Sequence, residues 1–568
     1  MLFWDEHPPF PSDRYPQALA CDIRNLNGKE VLTVKNAKKW LSLSLAGVLL
    51  TGLLAGCGGG NAPPASSAPS APVSTTPVEG GILKYGTDSE PTGFDPHTVS
   101  EEASLRIINQ LYETLVATNA DMTYYGQLAE SWEIPDDVTY IFYLRKGVKF
   151  HSGREMTADD VVYSFDRVLG KTEAGDIGAL GSKDSYYGGI ESVEAVDDYT
   201  VKFTLKEPNA AFLGNLTSNY GAIVDKDVIA ENGDLMRADG GTGPFMLGEW
   251  LPDNYVELPK FEEYWEADRV KLGGITYYLI GDEAARLAAL RTGEINIANL
   301  SSTNVTAAEK ESNLSVLGYQ TNDYIAMGCN LSTPALQDQN VRQAMSYALD
   351  RQTLINVVFN GQAQVSTMMP PAMGHWSLGA DSFDLYQFNL DKAKELMEAA
   401  GYSDSNRLSL KLAAGLMDSL RQAAVVIQQQ LSEIYIDVEI TNLESGEYVD
   451  IWGKMSTPEA GFDLMVVSDG AGTDPNRAIS FFFSTGSSAN VFGFSNERVD
   501  ELCALGIATT DEAKREEYYN EAQEICVEDS TKICIASPMK YFVSSTSVQG
   551  FAPSAADASD FRDTYLTQ

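Results

Sequence analysis

Segments with the two-residue period of a β-strand alternate along this chain with segments that have the period of an α-helix. Apolar and polar residues alternate in Tyr140–Leu144, Val201–Leu205 and Ile436–Ile440, which predicts half-buried strands. Apolar residues recur on one helical face in Ala393–Ala400, and Arg421–Ser432 is a second predicted helix. Because the alternation runs through the chain, it predicts an α/β fold.

The length of the chain indicates several lobes, and its charge argues against some classes of partner. At 568 residues it is too long for one core and should divide into two or three lobes. Its formal net charge is −40 and its pI is about 4.3. Such an acid excess repels phosphate backbones, so we expect no nucleic-acid partner. Two interpretations of the acidity stay open, namely solubility outside the cytoplasm and attraction of cationic ligands.

The cysteines and histidines are scattered and do not show the spacing of a metal site. We therefore predict neither a metal nor a cofactor. Four cysteines lie in the body of the chain, and none belongs to a CxxC pair: Cys329, Cys503, Cys526 and Cys534. One disulfide among the last three stays open, but buried free thiols are the expectation.

The chain carries an export signal close to its N-terminus. Lys35, Lys38 and Lys39 precede an apolar run, Trp40–Leu54, which ends in Leu54-Ala55-Gly56-Cys57. The run has the length of a signal-peptide core and is short for a membrane span. This pattern resembles a bacterial lipoprotein signal, which implies a signal peptide at 34–56, cleavage before Cys57 and a diacylglyceryl group on its thiol.

The residues on either side of the signal have distinct compositions. Residues 57–78 are rich in Gly, Ala, Pro, Ser and Thr, which predicts a flexible tether. Residues 1–33 precede the basic residues with which signal peptides begin. Lys29-Glu30-Val31 can be encoded as AAG-GAG-GT, which resembles a ribosome-binding sequence, and Val34 as the alternative start codon GTG. We therefore predict that residues 1–33 are an untranslated leader.

Several stretches between Gly80 and Gln568 carry a family resemblance. They are Gly81–Gly86, Glu90–His97, Leu128–Trp132, Leu144–His151, Thr157–Val161, Gly241–Phe245, Tyr264–Trp265, Ala285–Leu290, Gly293–Ile295, Val341–Ala344 and Tyr347–Asp350. In this order they resemble the family 5 solute-binding proteins of ABC importers, the peptide/nickel-type group. Most of these residues identify the fold and perform no chemistry.

The resemblance implies a periplasmic-binding-protein-like fold with two large lobes, a hinge, a ligand cleft and a smaller extra lobe. Lobe I would comprise 79–112, 238–300 and 535–568, the extra lobe 113–237, and lobe III 301–534. The implied function is capture of a peptide or similar small solute by a monomer. The protein would lie outside the cytoplasm, in the periplasm or at the cell surface, anchored to the cell membrane by its N-terminal lipid. The implied partner is the ABC permease. An amine-bearing compound and an oligosaccharide remain alternative ligands.

The predicted ligand site departs from the pattern of the peptide-binding members. Those members hold the ligand ammonium with an aspartate just before an Asp-Pro pair, and counting back from Asp474 places Ala471 there. Asp469 is the nearest carboxylate and, on a strand, points the same way. Either Asp469 replaces the missing aspartate and the ligand carries a positive group, or it caps a turn beside Gly470. The segment Ala413–Asp418 lacks the arginine that clamps the ligand carboxylate in dipeptide binders.

The candidate ligand-binding residues are Glu90, Trp376, Asp469, Gly470, Ala471 and Asp474. Trp376 lies in a loop that lines the cleft in relatives, although packing of the loop alone would also explain it. An exported hydrolase would need a nucleophile elbow, a zinc motif or an acid/base pair, and no GxSxG or HExxH motif occurs. We therefore expect a binding protein and not an enzyme. A surface receptor for a signal peptide is the remaining alternative.

Overall fold

The computed structural model describes residues 77–119, 123–179, 186–415, 417–553 and 560–568. The predicted leader, signal peptide and lipidation site Cys57 lie outside the described residues, as does nearly all of the predicted tether. Within the described residues, no helix is both long and apolar enough to cross a membrane.

The strands, in chain order, are β1 (Ile82–Thr87), β2 (Val116–Thr118), β3 (Tyr124–Gly126), β4 (Ala129–Asp136), β5 (Thr139–Leu144), β6 (Ile190–Asp197), β7 (Thr200–Leu205), β8 (Trp250–Leu251), β9 (Tyr255–Pro259), β10 (Gly274–Leu279), β11 (Ile297–Asn299), β12 (Leu314–Gln320), β13 (Asp323–Cys329), β14 (Ala363–Val365), β15 (Leu408–Gly415), β16 (Ile436–Leu443), β17 (Leu464–Gly470), β18 (Lys532–Ser545), β19 (Val548–Gln549) and β20 (Tyr565–Leu566).

The helices are α1 (Glu102–Leu111), α2 (Ala158–Val168), α3 (Phe212–Leu216), α4 (Lys226–Asn232), α5 (Glu283–Thr292), α6 (Ser302–Ala308), α7 (Gln339–Ala348), α8 (Arg351–Phe359), α9 (Leu390–Ala399), α10 (Asp418–Ser432), α11 (Ser445–Trp452), α12 (Glu497–Ile507) and α13 (Glu512–Asp529). The strands and helices predicted from periodicity correspond to β5, β7, β16, α9 and α10. Gly401, just past α9, has a φ of +92°, a left-handed conformation that favours glycine after a helix.

Three large apolar cores and a smaller one, which packs α5 and α6 against β11, organise the described residues. The β1–β10 core packs β1, α1, β9 and β10, and it includes Tyr85, Phe94 and Tyr277. The β5–β7 core packs the antiparallel sheet β4-β5-β7-β6 against α2. The β13–β17 core packs β13, β15, β17 and the first residues of β18 against α7, α10 and α13. The large cores draw mostly on the ranges predicted for lobe I, the extra lobe and lobe III, but the β1–β10 core also includes Val224 and Leu235 of the predicted extra lobe. The lobe bounds stay a prediction.

One long sheet, in the order β16-β15-β17-β13-β18-β11-β1-β10-β9-β8, connects the β13–β17 core with the β1–β10 core. The first part of β18, up to Pro538, pairs with β13 and β14, and the part from Met539 onward pairs with β12 and β11. Only Thr321 and Asn322 separate β12 from β13. The backbone therefore passes between the two cores at two adjacent places.

The β1–β10 core and the β5–β7 core are joined by a buried polar cluster. Arg167 on α2 forms an ion pair with Asp95 at 2.5 Å, and its guanidinium lies 2.9 Å from Nδ1 of His97. Because a guanidinium only donates, His97 accepts at Nδ1 and donates from Nε2 to the Ala222 carbonyl at 3.0 Å. Burial and the charge of Arg167 lower the pKa of His97 to about 4 against the opposing charge of Asp95, so the ring is neutral.

The four cysteines that the structure describes, Cys329, Cys503, Cys526 and Cys534, are free and buried. Free thiols were the expectation from the sequence. Burial raises the pKa of Cys503 to about 11. It raises the pKa of Cys534 to about 12 in the same way. These thiols therefore remain protonated and unreactive in the folded protein.

Candidate ligand-binding site

The end of β17 lies beside the passage of the chain between the two large cores. Asp469 and Gly470 stand opposite Tyr324 and Asp323, the first residues of β13. The amide of Ala471 donates to the Asn322 carbonyl at 2.8 Å. The Asn322 side chain in turn donates to the Gly472 carbonyl at 2.6 Å. The predicted residues 469–471 are thus fixed to the connection between β12 and β13.

One edge of β17 is open along this segment. Leu464 and Met465 pair with Leu412 and Ala413 of β15, and among the described strands none pairs with this edge farther along. The hydroxyl of Tyr448 donates a hydrogen bond to the Val466 carbonyl at 2.9 Å. Val466 and Val467 are buried, so the accessible part of this edge is Ser468–Gly470. Since a strand edge presents unpaired N–H and C=O groups, these residues can accept another extended segment.

Asp469 is held by a buried cation. The ammonium of Lys532, the first residue of β18, lies 2.5 Å from its carboxylate, and the two side chains are 4% and 9% exposed for Lys532 and Asp469. The ammonium also lies 3.9 Å from the centroid of the Phe482 ring and donates to the Tyr324 hydroxyl at 3.4 Å. Burial raises the pKa of Tyr324, and the charge of Asp469 raises it further. Breaking such a pair leaves an uncompensated buried charge.

Asp474 and Trp376 both contact the side chain of one arginine. The guanidinium of Arg515, on α13, lies 2.7 and 2.9 Å from the two carboxylate oxygens of Asp474 and 5.4 Å from the centroid of the Trp376 ring. Burial would lower the pKa of Arg515, but the charge of Asp474 leaves it raised. Trp376 itself is buried and accepts from Gln523 at its carbonyl.

Glu90 lies apart from the other predicted residues, on the β1–β10 core. Its carboxylate accepts from Nε1 of Trp250 at 3.0 Å and from the amide of Asp253 at 2.7 Å. It borders a cavity of only about 10 Å³, which is too small for a solute. A larger cavity, of about 550 Å³, lies among α1, β2, β3 and the C-terminal segment, and none of the predicted residues lines it.

The structure thus brings together Asp469, Gly470 and Ala471 at one strand end and links Asp474 to Trp376. The ligand-binding roles of all six residues stay predictions. Sequence reasoning missed Lys532, Arg515 and Asn322. Lys532 was visible as a lone charge directly before the apolar Ile533–Ala536, which indicates a buried cation in need of a partner.

Residues 123–492 match the family described as bacterial extracellular solute-binding proteins, family 5 Middle. The chain is 29% identical over 540 residues to the oligopeptide-binding protein AppA of Bacillus subtilis (strain 168), covering 91% of this chain and 97% of AppA. It is 29% identical over 473 residues to the glutathione-binding protein GsiB of Escherichia coli (strain K12), covering 81% of this chain and 90% of GsiB.

The structure is also similar to that of Bacillus subtilis AppA in complex with a nonapeptide. The TM-score is 0.70 at 28% sequence identity, and the match covers 87% of this chain and all of the AppA chain (100%). This likeness confirms the α/β fold with two large lobes that the resemblance implied.

Proposed function

Since this chain belongs to the bacterial extracellular solute-binding proteins of family 5, we propose that it captures a peptide between its lobes and delivers it to the permease of an ABC importer. It is an extracytoplasmic solute-binding protein. Members of this family bind solutes and are not enzymes, so the expectation that the chain is not an enzyme is confirmed.

The open edge of β17 is the observation that carries the proposal. An extended peptide adds to such an edge as one more strand, and its backbone then forms hydrogen bonds that do not depend on its sequence. The residues at this edge end at Gly470, beside the passage between the large cores. A ligand seated there contacts both sides when the lobes close.

The likeness to named peptide binders favours a peptide over an oligosaccharide or a simple amine. AppA is an oligopeptide-binding protein, and GsiB binds glutathione. The candidate contacts are Gly470 and Ala471 at the strand end, with Trp376, Asp469 and Asp474 behind them and Glu90 on the opposite lobe. Main-chain recognition suits Gly470, which has no side chain to obstruct a neighbouring backbone, whereas the Ala471 amide is already bound by Asn322.

We propose that the cores are the three predicted lobes and that they close about the two chain passages. The prediction assigned residues 301–534 to lobe III. However, α6 and β12 pack with Leu287, Leu290 and Val543 beside β11. The proposed division therefore places the passages at Thr321–Asn322 and at Ser537–Pro538. Lobe I and the extra lobe move as one body in this scheme because Arg167 and Asp95 join them.

The proposal includes the predicted anchor. Cys57, acylated after removal of the signal peptide, would attach the monomer to the outer face of the membrane through the tether 57–78. That arrangement keeps the binding lobes close to the permease while the tether lets them turn.

Native mass spectrometry of the purified protein, mixed with equal pools of short peptides and oligosaccharides, tests the proposal. We expect one-to-one complexes with peptides only, and a higher melting temperature in the peptide pool. A matched sample unfolded in denaturant controls for non-specific adducts. Retention of oligosaccharides with no retained peptide would contradict the proposal.

A further inference from the structure

A π-helical turn, Arg477–Phe481, follows the loop after β17. The guanidinium of Arg477 lies over the ring of Phe481, 4.3 Å from its centroid. Its stem lies against Gly472, where an added Cβ would be 2.7 Å from Cδ of Arg477. Gly472 has a φ of +72°, which also favours glycine. Arg477 is thus fixed next to the proposed peptide edge.

The charge of Arg477 is not balanced locally. Asp469 pairs with Lys532, Asp474 with Arg515, and Asp323 with Lys540 at 3.5 Å. Among the residues that the structure describes, no carboxylate lies within ion-pair distance of Arg477. Arg477 is therefore left without a counter-charge in a chain whose formal net charge is −40.

The loop that carries Arg477 packs against the β5–β7 core. Burial raises the pKa of Tyr220, in the 3-10 turn Asn219–Gly221, to about 12, and the charge of Arg477 acts against this rise. Helix α3 packs closely against this loop. A Cβ added at Gly214 of α3 would lie 3.7 Å from both Asp474 Cβ and Thr473 Oγ1. A group bound by Arg477 would therefore lie between the extra lobe and lobe III.

Two backbone donors lie in the loop against which the Arg477 stem packs. The amides of Gly472 and Thr473 have no acceptor among the described residues, while the next amide toward β17, that of Ala471, is taken by Asn322. The planar guanidinium of Arg477 presents paired N–H donors that match the two oxygens of a carboxylate, and the loop amides are further donors in the same segment.

We propose that Arg477 binds a carboxylate of the ligand at the boundary between the extra lobe and lobe III. This inference rests on the proposed capture of a peptide and adds a specificity to it. The carboxylate is either the C-terminus of the peptide or an acidic side chain. Since the nearby aspartates are already paired, the same end of the cleft offers little to a free ammonium.

Three pools of mixed-sequence peptides distinguish the two sources. The first pool lacks Asp and Glu and has free C-termini, the second is its C-terminally amidated copy, and the third is amidated but contains Glu. We expect wild-type protein to retain the first or the third pool about tenfold more than the second, as read by native mass spectrometry. Preference for the first identifies a C-terminal carboxylate, and preference for the third identifies an acidic side chain.

Arg477→Gln should remove the preference, leaving the three pools within about twofold of one another, because the neutral amide cannot balance a carboxylate. The matched control is Arg407→Gln. Arg407 is in the same lobe and pairs with Asp437 at 2.9 Å, but it precedes β15, at the opposite end of the strands. This control should keep the wild-type preference. Melting temperatures of both variants establish that they are folded.

Equal retention of all three pools by wild type, or an unchanged preference in Arg477→Gln, would overturn the inference while leaving peptide capture intact. Retention of no pool by folded wild-type protein would instead contradict peptide capture itself, and the inference with it.

Discussion

The ammonium of Lys532 lies 2.5 Å from the carboxylate of Asp469, and less than a tenth of either side chain is exposed. The two residues belong to β17 and β18, the strands on either side of β13. Sequence alone offered two roles for Asp469, an anchor for a ligand ammonium or a turn cap beside Gly470. The ion pair adds a third role, in which Asp469 neutralises a cation inside lobe III.

Breaking this pair should destabilise the protein. Asp469→Asn leaves a buried ammonium without its counter-charge, and Lys532→Met leaves a buried carboxylate, so each should lower the free energy of unfolding by about 3–5 kcal/mol. The double variant Asp469→Asn/Lys532→Met should lose less than the two single losses added together. Denaturant unfolding measures all three. Additive losses would contradict a direct interaction.

Pairing with Lys532 and holding a ligand ammonium predict different ligand affinities for an Asp469 variant. If Asp469 serves only Lys532, titrating the ligand identified by mass spectrometry into folded Asp469→Asn should give an affinity within about twofold of wild type. If it holds a ligand ammonium, the loss should be about 2–5 kcal/mol. We expect the first result, because the carboxylate is already paired. Isothermal calorimetry at matched protein concentrations decides between the two.

His97 should make stability depend on pH. Its pKa is lowered from 6.5 to about 4, so below pH 6.5 the unfolded chain binds a proton that the folded protein does not. Stability is therefore lost as the pH falls, by about 2 kcal/mol between about pH 7 and about pH 5. Denaturant unfolding at both pH values should show a smaller change for His97→Gln. An equal change in the variant would exclude His97 as the source.

Membrane attachment should depend on one cysteine. Cys57→Ala removes the predicted acylation site, so the protein should leave the membrane fraction and appear in the soluble fraction. Cys329→Ala is the control, since Cys329 is buried in lobe III and should not change the distribution. Fractionation followed by immunoblotting measures it. A Cys57→Ala protein that still sediments with membranes would rule out the lipoprotein signal.

Local periodicity predicts the helices and strands, but it does not predict which distant residues contact one another. The helix predicted at Arg421–Ser432 begins at Asp418, and the strand predicted at Ile436–Ile440 extends to Leu443. Both depend on neighbours a few residues away, which sequence patterns record. The pairing of Asp469 with Lys532 joins residues far apart in the chain, and no local pattern specifies which buried carboxylate a buried lysine will meet.

The same limit applies to the candidate site. The sequence could indicate that Asp469 and Ala471 lie near a strand end, because the apolar Leu464–Val467 precedes them. It could not single out Arg477. What distinguishes this arginine is that neighbouring aspartates are paired elsewhere, and those pairs depend on how β13, β17, β18 and α13 assemble.

One backbone hydrogen bond should help to hold the lobes closed. The amide of Ala210, before α3, donates to the Ile507 carbonyl at the end of α12, at 2.8 Å, which links the proposed extra lobe to the proposed lobe III. Ala210→Pro removes this donor, whereas the control Ala210→Gly keeps it. Since such a bond contributes about 0.5–1.5 kcal/mol, Ala210→Pro should shift the balance between closed and open forms by about two- to tenfold. Small-angle scattering should show a larger radius of gyration for Ala210→Pro than for Ala210→Gly, and added ligand should compact both. Equal radii and equal ligand affinities in the two variants would show that this contact does not hold the lobes together.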